Sequence, residues 1–157
     1  MIETSDIYRA INNLLTEQFP DIPVQDKNIK TPYPPCFYTQ YITGTTTQIA
    51  SEYEKTDCSF NIVYFSENLT IEDLITIEKK LKTIFKKPLK ISFLDSRNPQ
   101  YQEIESITTT PDEENYTLNC SINLSIDQLN SEKESLTDFT NRYDEYDNEE
   151  YIEELEI

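Results

Sequence analysis

The chain has 157 residues and a formal net charge of −17, from 30 acidic and 13 basic residues. This charge disfavours non-specific binding to nucleic acid or to an anionic membrane, because both are themselves negative. The lack of histidine excludes Ser–His and Cys–His nucleophilic sites and His-ligated zinc, and a single glycine excludes phosphate-cradling loops. A carboxylate-based enzyme is the one catalytic class that this composition leaves open. The length predicts one domain with one core.

The cellular setting is predicted from two further absences. No stretch approaches the roughly 18 consecutive apolar residues of a membrane helix, and the N-terminus lacks the basic-then-apolar layout of a signal peptide. We therefore expect the protein to act inside a cell, or to be assembled there into something larger. Cys36, Cys58 and Cys120 lie in apolar or alternating runs, which predicts reduced core thiols and no metal site.

The first predicted element is an amphipathic helix over residues 5–19. Its apolar side chains recur on one helical face, with Thr4 or Ser5 as a plausible N-cap and Pro20 closing it. Five of the eight prolines follow within 20–35, which predicts an extended connection.

Two strands are predicted next. Residues 36–42 are aromatic and β-branched, and residues 57–65 alternate between apolar and other side chains. Between them, residues 43–55 have little apolar periodicity and fit either a long loop or an exposed hairpin.

A second helix, over residues 70–87, is the strongest prediction. Thr70 and Asp73 form a capping-box-like start, acids occupy its first turn and lysines its end. Its apolar stripe is expected to be buried. The stripe consists of Leu74, Ile77, Leu81, Ile84 and Phe85.

Three more strands are predicted after Pro88, over residues 89–95, 101–110 and 116–126. The last alternates without a fault, as an antiparallel strand with one wet face does. The predicted fold is therefore α+β in the order α-β-β-α-β-β-β. In it an antiparallel sheet of four to five strands carries two amphipathic helices on one face.

The chain changes character after about residue 127. Residues 131–157 contain eleven acids and two bases, so they carry −9 of the total −17. We predict a core domain over 1–127, an acidic linker over 128–150 and a C-terminal docking segment over 151–157.

Three clusters are candidate sites, each with a simpler explanation. A run of six lysines fits a patch for phosphate or an acidic partner, or else a solvated helix end. The run consists of Lys79, Lys80, Lys82, Lys86, Lys87 and Lys90. Glu103 and Glu105 fit a carboxylate pair for acid–base work or a divalent cation, or else a solvated edge. An aromatic group fits base stacking, or else core packing. This group consists of Tyr33, Phe37, Tyr38 and Tyr41.

Three stretches carry a resemblance to a known family. The first helix ends in Phe-Pro-Asp (19–21), a strand starts with Pro-Cys-Phe (35–37), and another reads Phe-Asn-Ile-x-Tyr-Phe (60–65). In this order and spacing, and with the second helix, they resemble the phage tail terminators of phages and phage-tail-like bacteriocins of low-GC bacteria. The Glu-Glu-Leu-Glu stretch at 153–156 resembles the acidic–apolar end of many members. Family members carry Gln-Gly-Phe where this chain has Thr-Pro-Tyr (31–33).

The resemblance implies a structural protein without catalysis or cofactor. Such proteins form a ring, usually a homo-hexamer, on the head-proximal end of the tail tube. The implied partners are copies of the chain itself and the tail tube protein, the sheath protein if the tail is contractile, and a neck or connector protein if a capsid is present. No specific nucleic acid and no membrane are implied. The implied location is the tail of a virion or phage-tail-like particle, assembled in the bacterial host cytoplasm.

Two segments are the expected contacts in such a ring. The polar loop around 43–56 is expected to face the tube, because a hairpin can cap the open strand edges of a β-rich tube end. Its candidate residues are Thr45, Thr46, Thr47 and Gln48. In the docking segment, Tyr151, Ile152 and Leu155 are expected to anchor on a neighbouring subunit or on the adjacent tail ring.

Two other functions remain open at this stage. A different neck or baseplate component would also form rings, but would not cap tube protein. An acidic DNA mimic that blocks a host nuclease or repressor would stay monomeric or dimeric and compete with DNA for a basic protein.

Overall fold

The computed structural model describes residues 1–25 and 33–129. Its elements there are helices α1 (Thr4–Gln18) and α2 (Ile71–Ile84) and strands β1 (Val24–Gln25), β2 (Cys36–Gln48), β3 (Tyr53–Phe65), β4 (Leu89–Ile91), β5 (Gln100–Gln102), β6 (Ser106–Asp112) and β7 (Thr117–Leu129). The protein is therefore α+β, as predicted. Its described residues fall into two compact units, one of Met1, Thr46–Lys55 and 127–129, the other of Ile2–Thr45 and Thr56–Ile126.

The main sheet has five strands in the order β1-β2-β3-β7-β6. Strand β1 runs parallel to β2, whereas β6 and β7 are antiparallel. The sheet is thus mixed, and the prediction of a wholly antiparallel sheet was wrong. The cause is β1, which is two residues long and follows the first helix by a proline-containing turn. So short a strand has no alternation from which a sequence pattern can predict it.

The predicted strand order after α2 was also wrong. The half-polar stretch predicted as one strand over 101–110 divides at 103–105 into β5 and β6. Strand β5 pairs with β4 in a separate two-stranded sheet, whereas β6 pairs with β7 along its whole length. Pro111 is compatible with β6 because that strand lies at the end of the sheet order, where one side needs no ladder donor.

Both helices begin with side-chain caps. Glu3, and not the predicted Thr4 or Ser5, is the N-cap of α1, and its backbone N–H donates to Asp6 Oδ2 at 2.9 Å. The prediction for α2 is confirmed, because Thr70 is its N-cap and accepts from the Asp73 N–H at 3.2 Å. Such caps satisfy N–H groups that have no partner inside the helix.

Both helices cover the same face of the main sheet. Tyr8 of α1 lies 6.4 Å from Phe60 between ring centroids, and Asp73 of α2 accepts a hydrogen bond from Tyr64. Phe60 and Tyr64 are four residues apart on β3 and so point to one face. Most of the expected buried residues of α1, α2, β3 and β7 form this core, while Ile84 of the α2 stripe is only partly buried against it. Its largest fully buried side chains are Phe37, Phe60, Ile7, Ile11, Leu15, Ile62, Leu74, Leu81, Leu89, Ile91, Leu118 and Ile122.

One detail of the core agrees with the sequence prediction and another differs from it. All three cysteines are buried and free, which confirms the predicted core thiols. Tyr116 was expected to continue the apolar face of β7 but precedes that strand, with φ of 52°. Its carbonyl accepts from the Ser66 N–H at 3.1 Å, so it serves as a backbone corner.

Thr39 carries the first testable prediction. It is 1 % exposed, and its hydroxyl has no hydrogen-bond partner within residues 1–25 and 33–129. A buried polar group without a partner is destabilising, so Thr39→Val should stabilise the fold by about 1 kcal/mol and raise Tm by roughly 3 °C. The exposed Thr45→Val is the matched control and should change Tm little. A lower Tm for Thr39→Val in thermal unfolding would contradict the prediction.

Candidate functional site

The segment between β2 and β3 is a hairpin, one of the two structures predicted for it. Residues 49–52 join the two strands, and a connection this short joins antiparallel neighbours. The N–H groups of Ile49 and Ala50 donate to the Tyr53 carbonyl at 3.2 and 3.3 Å, and the Tyr53 N–H returns a bond to Ala50. Gln48 Nε2 donates to the same Ala50 carbonyl at 2.5 Å. Backbone and side chain together close the turn.

The predicted contact residues of this hairpin lie along β2. Thr45, Thr46, Thr47 and Gln48 are all exposed. Beside them, Ile49 is 53 % and Tyr53 47 % exposed, so the turn combines polar strand positions with two large apolar side chains. β-Branched threonines favour an extended backbone, which is why β2 runs six residues past its predicted end. We call Thr45–Gln48, Ile49 and Tyr53 the hairpin surface.

The other face of the sheet has uncharged polar side chains that bond across strands. Asn61 Nδ2 donates to Gln40 Oε1 at 3.3 Å and to Asn119 Oδ1 at 3.2 Å. The Ser59 hydroxyl donates to Asn123, whose own amide donates to Ser106 at 2.9 Å. These bonds link β2, β3, β7 and β6 and fix their register. Alternation in β7 predicted that this face is polar, but not that its groups pair with one another.

Asp73 joins the end of β3 to the start of α2. Its Oδ2 accepts from the hydroxyls of Tyr64, at 2.7 Å, and Ser66. Both donors are 3 % exposed. Burial first, and then the hydrogen bond to Asp73, raises the pKa of the Tyr64 phenol, so Tyr64 remains a neutral donor. Sequence reasoning identified Asp73 only as a cap residue, because the phenol partner comes from a different element.

The six predicted lysines all lie exposed along α2 and just after it. Lys80 differs from the others, since its Nζ donates to the Gln18 carbonyl at 2.7 Å and lies 4.4 Å from the Phe19 ring centroid. The remaining five make no ion pair in the described part of the chain. We call these five the basic pole: Lys79, Lys82, Lys86, Lys87 and Lys90.

The other candidate sites are not assembled. Glu103 and Glu105 lie exposed in the connection between β5 and β6, and no group of three or more metal-ligating side chains occurs among the residues described. The aromatic group is divided, because Phe37 is fully buried whereas Tyr33 is 85 % exposed. No helix in the described ranges is long and apolar enough to cross a membrane. Tyr151, Ile152 and Leu155 lie outside the described residues, so their role stays a prediction.

Comparison with known proteins gives one decisive match. A family model described as phage tail terminator protein matches residues 6–135, which include α2, the main sheet and all but the first two residues of α1. The chain belongs to the phage tail terminator family. It is therefore a structural protein of a phage tail, as the resemblance implied, and membership of this family implies contact with other tail components.

Two further comparisons add little. No curated protein matches the chain. Among the solved structures that match, one is similar at a TM-score of 0.44 and 12 % identity, over 83 % of this chain and 97 % of the other. That likeness is too distant to bear on function.

Proposed function

We propose that the protein is a tail terminator that closes the head-proximal end of the tail tube as a homo-hexameric ring. In this role it stops tube polymerisation and joins the tube to the neck or collar, and it holds the last sheath ring if the tail is contractile. Family membership supports the role, because the match over residues 6–135 covers nearly all of the described fold.

The hairpin surface is the proposed contact with the tube. A tube end built from strands presents unpaired N–H and C=O groups, and an extended hairpin can pair with such an edge. The threonines of β2 favour the extended conformation, while Ile49 and Tyr53 supply apolar area that the contact can bury. This combination of exposed strand and exposed apolar side chains is the observation that carries the proposal.

The proposal is tested by tube assembly. Purified tube protein polymerises with or without the terminator, and negative-stain electron microscopy with mass determination measures tube length and ring size. We expect six-fold rings alone and rings at tube ends that halt growth. Monomers that leave tube length unchanged would overturn the proposal. Rings that never cap tubes would indicate a different neck or baseplate component instead.

A variant locates the contact. Ile49→Asp with Tyr53→Asp introduces two charges at the hairpin surface, and capping should then need at least tenfold more protein while ring mass stays unchanged. Leu94→Asp with Tyr101→Asp is the matched control, since these side chains are 81 % and 64 % exposed and lie in other segments. Equal loss of capping in both double variants would exclude the hairpin as the specific contact.

A further inference from the structure

Charge is separated along α2. Its C-terminal half and the residues after it carry the basic pole, whereas acids surround its first turn. Ile71, the first residue of α2, lines one shallow depression with Asp112, Glu113 and Glu114 of the turn between β6 and β7. Glu72 lies one residue further along the helix. We call Glu72 and Asp112–Glu114 the acidic pole.

The acidic turn has a fixed shape. Asp112 Oδ1 accepts from the N–H groups of Glu114 and Asn115 at 3.0 and 3.2 Å, and its Oδ2 accepts from Asn115 Nδ2 at 2.8 Å. The bonds from Asn115 hold the pKa of the Asp112 carboxyl below its usual range. The side chains of Glu113 and Glu114 are exposed and make no hydrogen bond that closes the turn. The pole thus presents negative charge on an ordered backbone.

The helix dipole explains only part of this separation. Lysines are favoured at a helix C-terminus, but the effect falls off within the last turn. Of the basic pole, Lys82 alone lies in that turn. Lys86, Lys87 and Lys90 follow the helix, where the dipole effect is weak. The twelve residues from 79 to 90 nevertheless hold six of the chain's 13 bases and no acid. In a chain of net charge −17, we expect a positive surface this localised to bind a negatively charged partner.

The geometry points to a head-to-tail contact in which the basic pole of one copy meets the acidic pole of the next. This inference rests on the proposed ring, because a closed ring needs two different, mutually complementary surfaces on every subunit. Helix α2 has 14 residues and is about 21 Å long, so the two poles lie at opposite ends of one rigid element. Copies of net charge −17 repel one another overall. Pairing the basic pole with the acidic pole places unlike charges at the contact, so the local interaction is attractive.

The contact is tested by reversing one pole at a time. Lys86→Glu with Lys87→Glu places two glutamates in the basic pole, opposite the native Glu113 and Glu114 of the next copy. Glu113→Lys with Glu114→Lys places two lysines in the acidic pole, opposite the native Lys86 and Lys87 of its neighbour. Each variant alone should lose at least tenfold in ring formation, measured by mass photometry at low salt. An equimolar mixture should form rings again, because alternating copies then oppose unlike charges at every contact. A loss of folding stability in either variant would persist in the mixture, so it does not explain rescue by mixing.

Controls separate charge from position. Glu52→Lys with Asp127→Lys lies outside both poles and changes the net charge by the same +4 as Glu113→Lys with Glu114→Lys, so it should leave rings intact. Failure of the mixture to form rings would overturn the inference. If deletion of residues 148–157 reproduces the lysine reversal while reversal at 113 and 114 is silent, the acidic C-terminal segment is the occupant, and the inference is wrong.

Failure of the inference and failure of the proposed function give different results. If the wild-type protein stays monomeric at all salt concentrations, the proposed ring itself fails. If the wild type forms rings and both pole variants do too, the ring stands and the charge contact is excluded. Binding of a DNA duplex that depends on the lysines, with rings unaffected, would likewise overturn the inference.

Discussion

Asp73→Ala is expected to destabilise the protein by about 3 kcal/mol. The change removes the acceptor of two hydroxyls, those of Tyr64 and Ser66, both of which are almost completely buried. A buried donor left without a partner costs about 1–3 kcal/mol, and loss of a first-turn acid adds a few tenths. Urea unfolding followed by circular dichroism measures the loss.

Two companion variants identify the cause. Glu72→Ala removes an exposed acid from the same helical turn and should cost less than about 0.5 kcal/mol. In a double-mutant cycle, Tyr64→Phe should cost less once Asp73 is alanine, because the phenol then has no acceptor to lose. Additive losses at Tyr64 and Asp73, or equal losses at Asp73 and Glu72, would rule out the hydrogen-bonded junction as the source of stability.

The second large effect is a loss of stability at alkaline pH. Burial raises the pKa of the Cys58 thiol to about 11, with the Asp57 charge adding to it, and burial raises the pKa of the Cys120 thiol to about 12. In the unfolded chain both thiols have a pKa of about 8.5. The folded state therefore holds protons that the unfolded state has released, and stability that is complete below about pH 8.5 falls as pH rises towards the folded pKa values.

The expected loss is about 1.4 kcal/mol per pH unit for each thiol above its unfolded pKa, or roughly 5 kcal/mol by pH 10.5 for the pair. Urea midpoints measured from pH 7.5 to 10.5 with a reductant present test this. The double variant Cys58→Ala with Cys120→Ala should be less stable at neutral pH, yet its stability should fall much less steeply with pH. An unchanged slope in that variant would show that other groups govern alkaline unfolding.

The elements that sequence predicts well are those with long, regular patterns. The apolar stripe of α2 and the thirteen-residue β7 each repeat one period several times, and β3 shows its buried face through Cys58, Phe60 and Ile62. By contrast, β1, β4 and β5 have two or three residues, too few for a period. They exist because of their partners, which sequence patterns do not specify. This is why the sheet's parallel pair was not predicted.

The assembly surfaces divide in the same way. The exposure of Thr45–Gln48 follows from their polar composition, and the lysine run can be read directly from the sequence. The acidic pole was not predicted as a surface, because it unites a turn near residue 113 with the first turn of α2, about forty positions earlier. Likewise, the hydrogen bond between Tyr64 and Asp73 depends on how β3 is placed against α2. Only folding brings such residues together.

The pairing of β3 with β7 has a consequence for how the chain folds. The cross-strand bonds of Asn61 with Asn119 and of Ser59 with Asn123 join residues 58 and 64 positions apart. The two hairpins, β2–β3 and β6–β7, close locally and form on the microsecond scale, whereas joining them requires closure of a far longer loop. Helix α2 lies within that loop and shortens its effective length once formed. The folding rate should thus depend on how soon α2 is ordered, and Asp73 stands at the point where helix and first hairpin meet.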